Sequence, residues 1–477
     1  MSKIAAILML IAARVATADG LSGNLDSLLA DTALANAQIG LAVYDITADS
    51  SVYCRDCQKL FTPASNMKLF TSAAALALLG PSYRFKTRFL TTGKVDRKGR
   101  LDGDLVIVGG GDPLISGRFR EGVTEVLTLW ADSLRAKGIK EIKGDLIIDN
   151  SFFSGVELGG GWSLDDLTYW YACPVSALSF NDNCVDLKFL PGEKVGDPAI
   201  IELDPATDYI KITNNAVTVL ADSEFTLDYF RIPFTNDVTF FGGVEIDDTL
   251  GKIDYVSVHR PDIYCGYIFA DILNKNNIKF KGDILTGTEK SEKSEPLFIW
   301  RSDSMAVIIS VINKNSQNLF AELALKTLGK ELGDEGSFRK GLKIVTAFFD
   351  SLGIGADDIA MADGSGLSHY NIVKPAAVID LLRIMSSRPN FSVYFESLAV
   401  PGVDRSVKNR LEDVEFRERA HTKTGSIANA RTFSGYIDGP RSGHLIGFSI
   451  MVNHFSCESS YVHDWLDSVA AALLAEY

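Results

Sequence analysis

Histidine is scarce in this chain, and long basic runs and membrane-length apolar segments are missing. Six histidines among 477 residues form no convincing Ser-His-Asp arrangement and no cluster matched to a metal. Asp and Glu outnumber Lys and Arg by 61 to 47, a net charge of -14. That balance argues against nucleic acid and against an anionic membrane surface as partner. The apolar run from Ile4 to Ala13 is too short to span a bilayer, and no later segment qualifies. It follows Met1-Ser2-Lys3 and leads to Ala16-Thr17-Ala18 before Asp19, which predicts a secretory signal peptide over 1–18 and a chain without a stable membrane span after processing. Cysteine is also sparse. Cys54-Arg55-Asp56-Cys57 has no second C-x-x-C and no thioredoxin-like surroundings, so a local disulfide or free thiols in a hairpin are expected. Cys173 and Cys184 flank a turn-rich segment and are candidates to pair, which an exported protein permits.

What is present describes a soluble globular chain, 46% hydrophobic and 23% charged, long enough for two to four domains. Leu21 to Ala35 reads as an amphipathic helix. Ile39 to Asp45 and Ser51 to Tyr53 read as a hairpin. Tyr461 to Tyr477 reads as a helix whose apolar side, with Trp465, Leu466 and Val469, packs on a sheet. The two ends therefore predict one mixed domain over 19–84 and 297–477. Between them short strands and turns dominate, predicting an inserted domain over 85–185 and 256–296 with a β-rich unit, 186–255, nested inside it. Gly103-Asp104, Gly144-Asp145 and Gly282-Asp283 each open an apolar segment, as echoes within one sheet. Gly109-Gly110-Gly111-Asp112-Pro113 lacks the lysine and helix start of a phosphate loop and is expected to be a turn.

Three short motifs carry chemistry: Ser65-Asn66-Met67-Lys68, Ser316-Gln317-Asn318 and Lys423-Thr424-Gly425. Each is weak alone. A chain this long holds about two S-x-x-K matches by chance, and Ser337-Phe338-Arg339-Lys340 is a second one here. Context separates them. Ser65 opens the apolar stretch Met67 to Leu79, stopped by Gly80-Pro81, a buried helix that puts Lys68 on the face of Ser65. Ser337 sits in a charged, surface-like run. Ser316 precedes a second apolar helix that begins at Asn318. Lys423-Thr424-Gly425 precedes two strands, Thr432 to Ile437 and Leu445 to Val452, separated by Asp438-Gly439-Pro440. The bland alternatives are helix caps for the two serines and a plain bulged strand for the lysine motif. A serine hydroxyl needs a base to become a nucleophile, and a neutral Lys68 one turn away supplies one. Burial and a neighbouring cation, Lys423, would keep Lys68 neutral.

S-x-x-K with S-x-N and K-T-G, in this order, is the motif set of penicillin-binding proteins and class A β-lactamases. The chain resembles more narrowly the class C low-molecular-mass penicillin-binding proteins, the D-alanyl-D-alanine carboxypeptidases/endopeptidases of the penicillin-binding protein 4 type. Pro63 to Leu69, Asn313 to Leu319, Asp363 to Ser368 and His421 to Ser426 carry that resemblance, with Gly161 to Asp166 and Ala172 to Leu178. The roughly 250 residues between the first two motifs mark the class. Gln317 stands where Asp is frequent, Ser426 where Thr is common, and His369 where Arg is usual.

The resemblance implies an α/β (α+β) multidomain fold: a serine β-lactamase/transpeptidase-like domain, an antiparallel sheet with helices, with β-rich domains inserted between the first two motifs. It implies an exported enzyme, on the periplasmic or cell-wall side, that acts on peptidoglycan stem peptides through an acyl-enzyme, takes β-lactam antibiotics as covalent inhibitors, and uses no metal or other cofactor. Ser316 would relay a proton to the departing amine. Asn318 would bind the substrate's amide. Lys423, Thr424 and Ser426, around Gly425, would receive its terminal carboxylate, and the N–H groups of Ser65 and Ser426 would form the oxyanion hole. Of the acids Asp165 and Asp166, Asp166 is assigned to the free amine of the peptide's diamino acid. His369 and His421 are expected to be neighbours of the site, not catalysts. The other readings are a non-catalytic wall-binding or assembly protein on this scaffold, and a β-lactamase or esterase, for which no dedicated deacylation base is identifiable.

Overall fold

The computed structural model describes residues 20–223, 227–412, 414–439 and 443–477; the expected signal peptide and Asp19 lie outside them. The first and third motifs are organised by a five-stranded antiparallel sheet in the order Ser50–Arg55, Gln38–Asp45, His444–Asn453, Ala430–Gly439, Ala420–Ile427. An N-terminal hairpin and a C-terminal meander meet in its middle, where Leu41 pairs with Ile450.

Side chains alternate between its faces. Leu41, Val43, Phe433 and Phe448 pack with the terminal helices Leu21–Leu29 and Ser459–Glu476, and Trp465 Nε1 donates to the Leu28 carbonyl at 3.0 Å. Ala42, Tyr436 and Met451 pack on the other side against Met67–Leu79 and Pro375–Ser386. The helix expected over 21–35 stops at Leu29, because the Asp31 carboxylate takes the Ala33 N–H (2.8 Å) and caps a separate 3-10 turn, Thr32–Leu34.

A second five-stranded sheet follows the order Ile284–Thr286, Leu146–Asp149, Leu105–Val108, Lys86–Thr91, Glu295–Arg301. The three Gly-Asp segments open its three parallel strands. Their aspartates form a ladder: Asp145 N–H donates to Asp104 Oδ1 (2.9 Å) and Asp283 N–H to Asp145 Oδ1 (3.0 Å). The repeat is therefore a device for starting adjacent strands in register. Two three-stranded sheets follow, Ile200–Asp204 with Cys184–Leu190 and Lys252–Ser257, and Lys211–Val219 with Asp237–Glu245 and Asp228–Arg231. They share one apolar core with the second sheet, where Phe189, Phe240 and Val256 join the cluster of Phe89 and Trp130.

Cys54 and Cys57 form a disulfide at the end of the hairpin. Cys173 and Cys184 do not pair. Each is buried as a thiol, and Cys184 Sγ lies 3.3 Å from the Asp182 carbonyl. Among the described residues no helix is long and apolar enough to cross a membrane.

Candidate active site

Ser65 lies on a 3-10 turn, Ala64–Asn66, that runs into the buried helix Met67–Leu79. Ala64 is held at φ +46°, a left-handed conformation that costs an L residue about 1–3 kcal/mol. Surrounding contacts hold it there. Thr432 Oγ1 donates to the Pro63 carbonyl at 2.9 Å, and Asn66 Nδ2 to Ser434 Oγ at 2.6 Å. Two glycines let neighbouring segments close in. A Cβ on Gly366 would stand 1.8 Å from the Ala64 carbonyl oxygen, and one on Gly425 would stand 2.7 Å from that of Pro63.

Lys68 is fully buried. Its Nζ lies 2.9 Å from Ser65 Oγ, 2.6 Å from Asn318 Oδ1 and 2.7 Å from the Ser365 carbonyl oxygen. Asn318 Nδ2 donates to the Tyr171 carbonyl at 2.7 Å, which fixes which end of the amide faces the lysine. Burial brings the lysine down to about 7, against the opposing pull of Asp363 and Glu322. A neutral amine has two N–H groups and one lone pair. Asn318 Oδ1 and the Ser365 carbonyl can only accept, so they claim both N–H groups and leave the lone pair to Ser65.

Ser316 also has a left-handed backbone, φ +56°. Its Oγ accepts from Lys423 Nζ at 2.9 Å, and the same ammonium reaches the Thr424 carbonyl at 2.8 Å. Lys423 is fully buried, and its pKa falls well below that of an ordinary lysine, through burial first and the charge of Lys68 second. Burial is the first cause at both lysines. Gln317 Nε2 donates to Asp182 Oδ2 at 3.2 Å. Asp182 is buried, bridged to Arg118, and flanked by Asn181 and Asn183, all three left-handed. Gln317→Asp would set a second carboxylate toward Asp182. We expect it to lower stability by about 1–3 kcal/mol, read as a lower urea midpoint; an unchanged midpoint would refute that role for the amide.

Ser65, Lys68 and Asn318 are thus in direct contact, and Ser316 and Lys423 form a second pair two residues along the same turn. Lys423, Thr424, Gly425 and Ser426 lie on the sheet's edge strand. Thr422 exchanges two backbone bonds with Ala399 on the strand's outer side (2.8 and 2.9 Å), and alternation turns the N–H of Ser426 to that same open edge. Asp166, on the 3-10 turn Asp165–Thr168, accepts from the Tyr171 hydroxyl at 3.1 Å. Neither serine of the first two motifs caps its helix. Ser337 does, accepting from Lys340 N–H at 3.2 Å. His421 stacks on Phe395 and His369 is exposed.

Several residues around the site had been given no role from the sequence, and Glu322 had not been singled out at all. Glu322, Asp363, the Ser365 carbonyl and Trp162, whose Nε1 donates to Asp363 at 2.9 Å, support the loop beside Lys68. Glu322 carried a visible mark: a carboxylate inside the apolar helix Asn318–Gly333.

The D-Ala-D-Ala carboxypeptidase 3 (S13) family model matches residues 21–473. The chain is 32% identical over 467 residues to a D-alanyl-D-alanine carboxypeptidase of Actinomadura sp. (strain R39), covering 95% of this chain and 84% of that one. It is 26% identical to D-alanyl-D-alanine carboxypeptidase DacB of Haemophilus influenzae, over 88% of this chain and 86% of the relative. The crystal structure of penicillin binding protein 4 (dacB) from Haemophilus influenzae superposes with a TM-score of 0.81 at 25% identity, covering 95% of this chain and 99% of that one.

Proposed function

Since this chain belongs to the D-Ala-D-Ala carboxypeptidase 3 (S13) family and is by that membership a D-Ala-D-Ala carboxypeptidase, we propose that Ser65 is its nucleophile and Lys68 its base. The substrates are peptidoglycan stem peptides ending in D-Ala-D-Ala. One observation carries the assignment: the Lys68 amine, brought to about 7 by burial, has its two N–H groups claimed and Ser65 Oγ at 2.9 Å.

Ser65 Oγ attacks the carbonyl carbon of the penultimate residue as its proton passes to Lys68. The N–H groups of Ser65 and Ser426 hold the oxyanion. The C–N bond then breaks, and the proton reaches the departing amine through Ser316. Free D-Ala leaves, and water hydrolyses the ester. When the departing amine is a second stem's side chain, the same steps make an endopeptidase. Asn318 binds the acyl amide, and Thr424 and Ser426 join Lys423 on the terminal carboxylate. That anion gives Lys423 a counter-charge and so draws a proton onto it. Asp166 takes the free amine of the diamino acid. A β-lactam enters by the same attack, but its leaving nitrogen stays tethered and shields the ester. The chain works after export, on the periplasmic or cell-wall side, with 19–84 and 297–477 as the catalytic domain and the β-rich units as its wall.

Digestion of a peptide ending in D-Ala-D-Ala, and of purified muropeptides, should release D-Ala by mass spectrometry. The value of kcat/KM should climb as pH rises through about 7, because Lys68 accepts a proton only when neutral. Absence of both D-Ala release and a penicillin adduct would sink the assignment.

A further inference from the structure

Lys68 owes the direction of its lone pair to two acceptors, and one of them, the Ser365 carbonyl, belongs to a loop, so something must hold that loop. Glu322 lies one helical turn after Asn318 and is fully buried. Its Oε2 accepts from Gly364 N–H and its Oε1 from Ser365 N–H, both at 2.8 Å. Asp363, also fully buried, takes the next donors: Gly366 N–H and Ser368 N–H at 2.7 Å and Asn371 Nδ2 at 2.8 Å. Thr71 Oγ1, on the nucleophile's helix, donates to the Gly364 carbonyl at 2.6 Å. Ser365 is therefore gripped on its N–H side by Glu322 and presents its carbonyl to Lys68 at 2.7 Å.

We propose that Glu322 is a positioning residue for acylation: by its paired bonds to Gly364 and Ser365 it keeps the Ser365 carbonyl on Lys68 and so aims the free amine at Ser65. This rests on Lys68 being the base. It also explains why a carboxylate is kept inside an apolar helix, where burial raises its pKa and an amide or alkyl group would be easier to accommodate. Two donors converge on two oxygens, an arrangement a carboxylate satisfies and a carboxamide does not.

Glu322→Gln turns an NH2 toward one of the two backbone N–H groups and removes the charge. The titratable groups around Glu322 are Lys68 on the nucleophile's helix, Asp363 on the loop, Lys326 on its own helix and Cys173 on the facing segment. Of these, Lys68 is the base, and the Glu322 charge holds its pKa up. Losing one of the two N–H bonds loosens the Ser365 carbonyl's hold on Lys68, and on that ground the variant should show kcat/KM for penicillin acylation about 10- to 100-fold lower. KM for a D-Ala-D-Ala peptide should stay unchanged, because the Lys423 pocket is untouched. Glu322→Asp is too short to hold both donors. It should also acylate slowly with KM unchanged, and it carries the test if Glu322→Gln does not fold. Acylation at the wild-type rate in either folded variant, or an equal fall through KM alone, would overturn the role of Glu322. The role of Lys68 is tested apart from it: Lys68→Ala that still acylates at the wild-type rate defeats the base assignment, whatever Glu322 does.

Discussion

Ser65→Ala is expected to leave penicillin without a covalent attachment site and to lower D-Ala release by roughly 10^5-fold or more, the scale seen when a nucleophile is removed from an acyl-transfer site. The fold should survive. The turn is held through Thr432, Asn66 and the two glycines, and the hydroxyl's recorded contact is with Lys68. Peptide mapping of the labelled wild type should place the adduct on Ser65. An adduct on Ser337, the other S-x-x-K serine, would overturn the assignment, and so would full labelling of Ser65→Ala. Ser337 is already committed to the Lys340 N–H, and Lys340 Nζ pairs with Asp334 at 3.2 Å, so no amine there is free to act as base.

Lys423→Ala should erase most of the preference for a free terminal carboxylate. Losing a charged partner typically costs about 2–5 kcal/mol, or roughly 30- to several thousand-fold. The comparison is turnover of a D-Ala-D-Ala peptide against its C-terminal amide, in wild type and variant. A full preference for the acid in the variant would show that another cation binds the carboxylate. Acylation should slow as well, because Ser316 loses the Lys423 amine that holds its hydroxyl.

The candidate site was legible because its parts are local. Ser65 and Lys68 sit three residues apart, Ser316 and Asn318 two, and apolar stretches with clear stops set them on helices, Met67–Leu79 among them. The two C-terminal strands and the terminal helices followed from alternation and periodicity. What stayed hidden depends on distant partners. Nothing near Glu322 in the sequence announces that its carboxylate meets Gly364 and Ser365, some forty positions on. Nor does Gln317 announce a bond to Asp182, which lies in another part of the fold. The candidate Cys173–Cys184 pair does not form, and two thiols bracketing a turn-rich stretch carry no distance information. The early end of the first helix turned on a single carboxylate, Asp31, competing for a backbone N–H.

The pairing of Gln38–Asp45 with His444–Asn453 has a consequence for how the chain matures. Ser65 and Lys68 leave the ribosome long before Lys423, Gly425 and Thr432. Until those late residues arrive, no edge strand braces the nucleophile's turn and no sheet buries the lysine that must be neutral. On the proposed mechanism the chain should therefore stay inactive until the pairing closes, a contact between segments some four hundred residues apart. Truncation before Ala420 should remove activity, and reactivity toward β-lactams should appear in step with completion of the sheet.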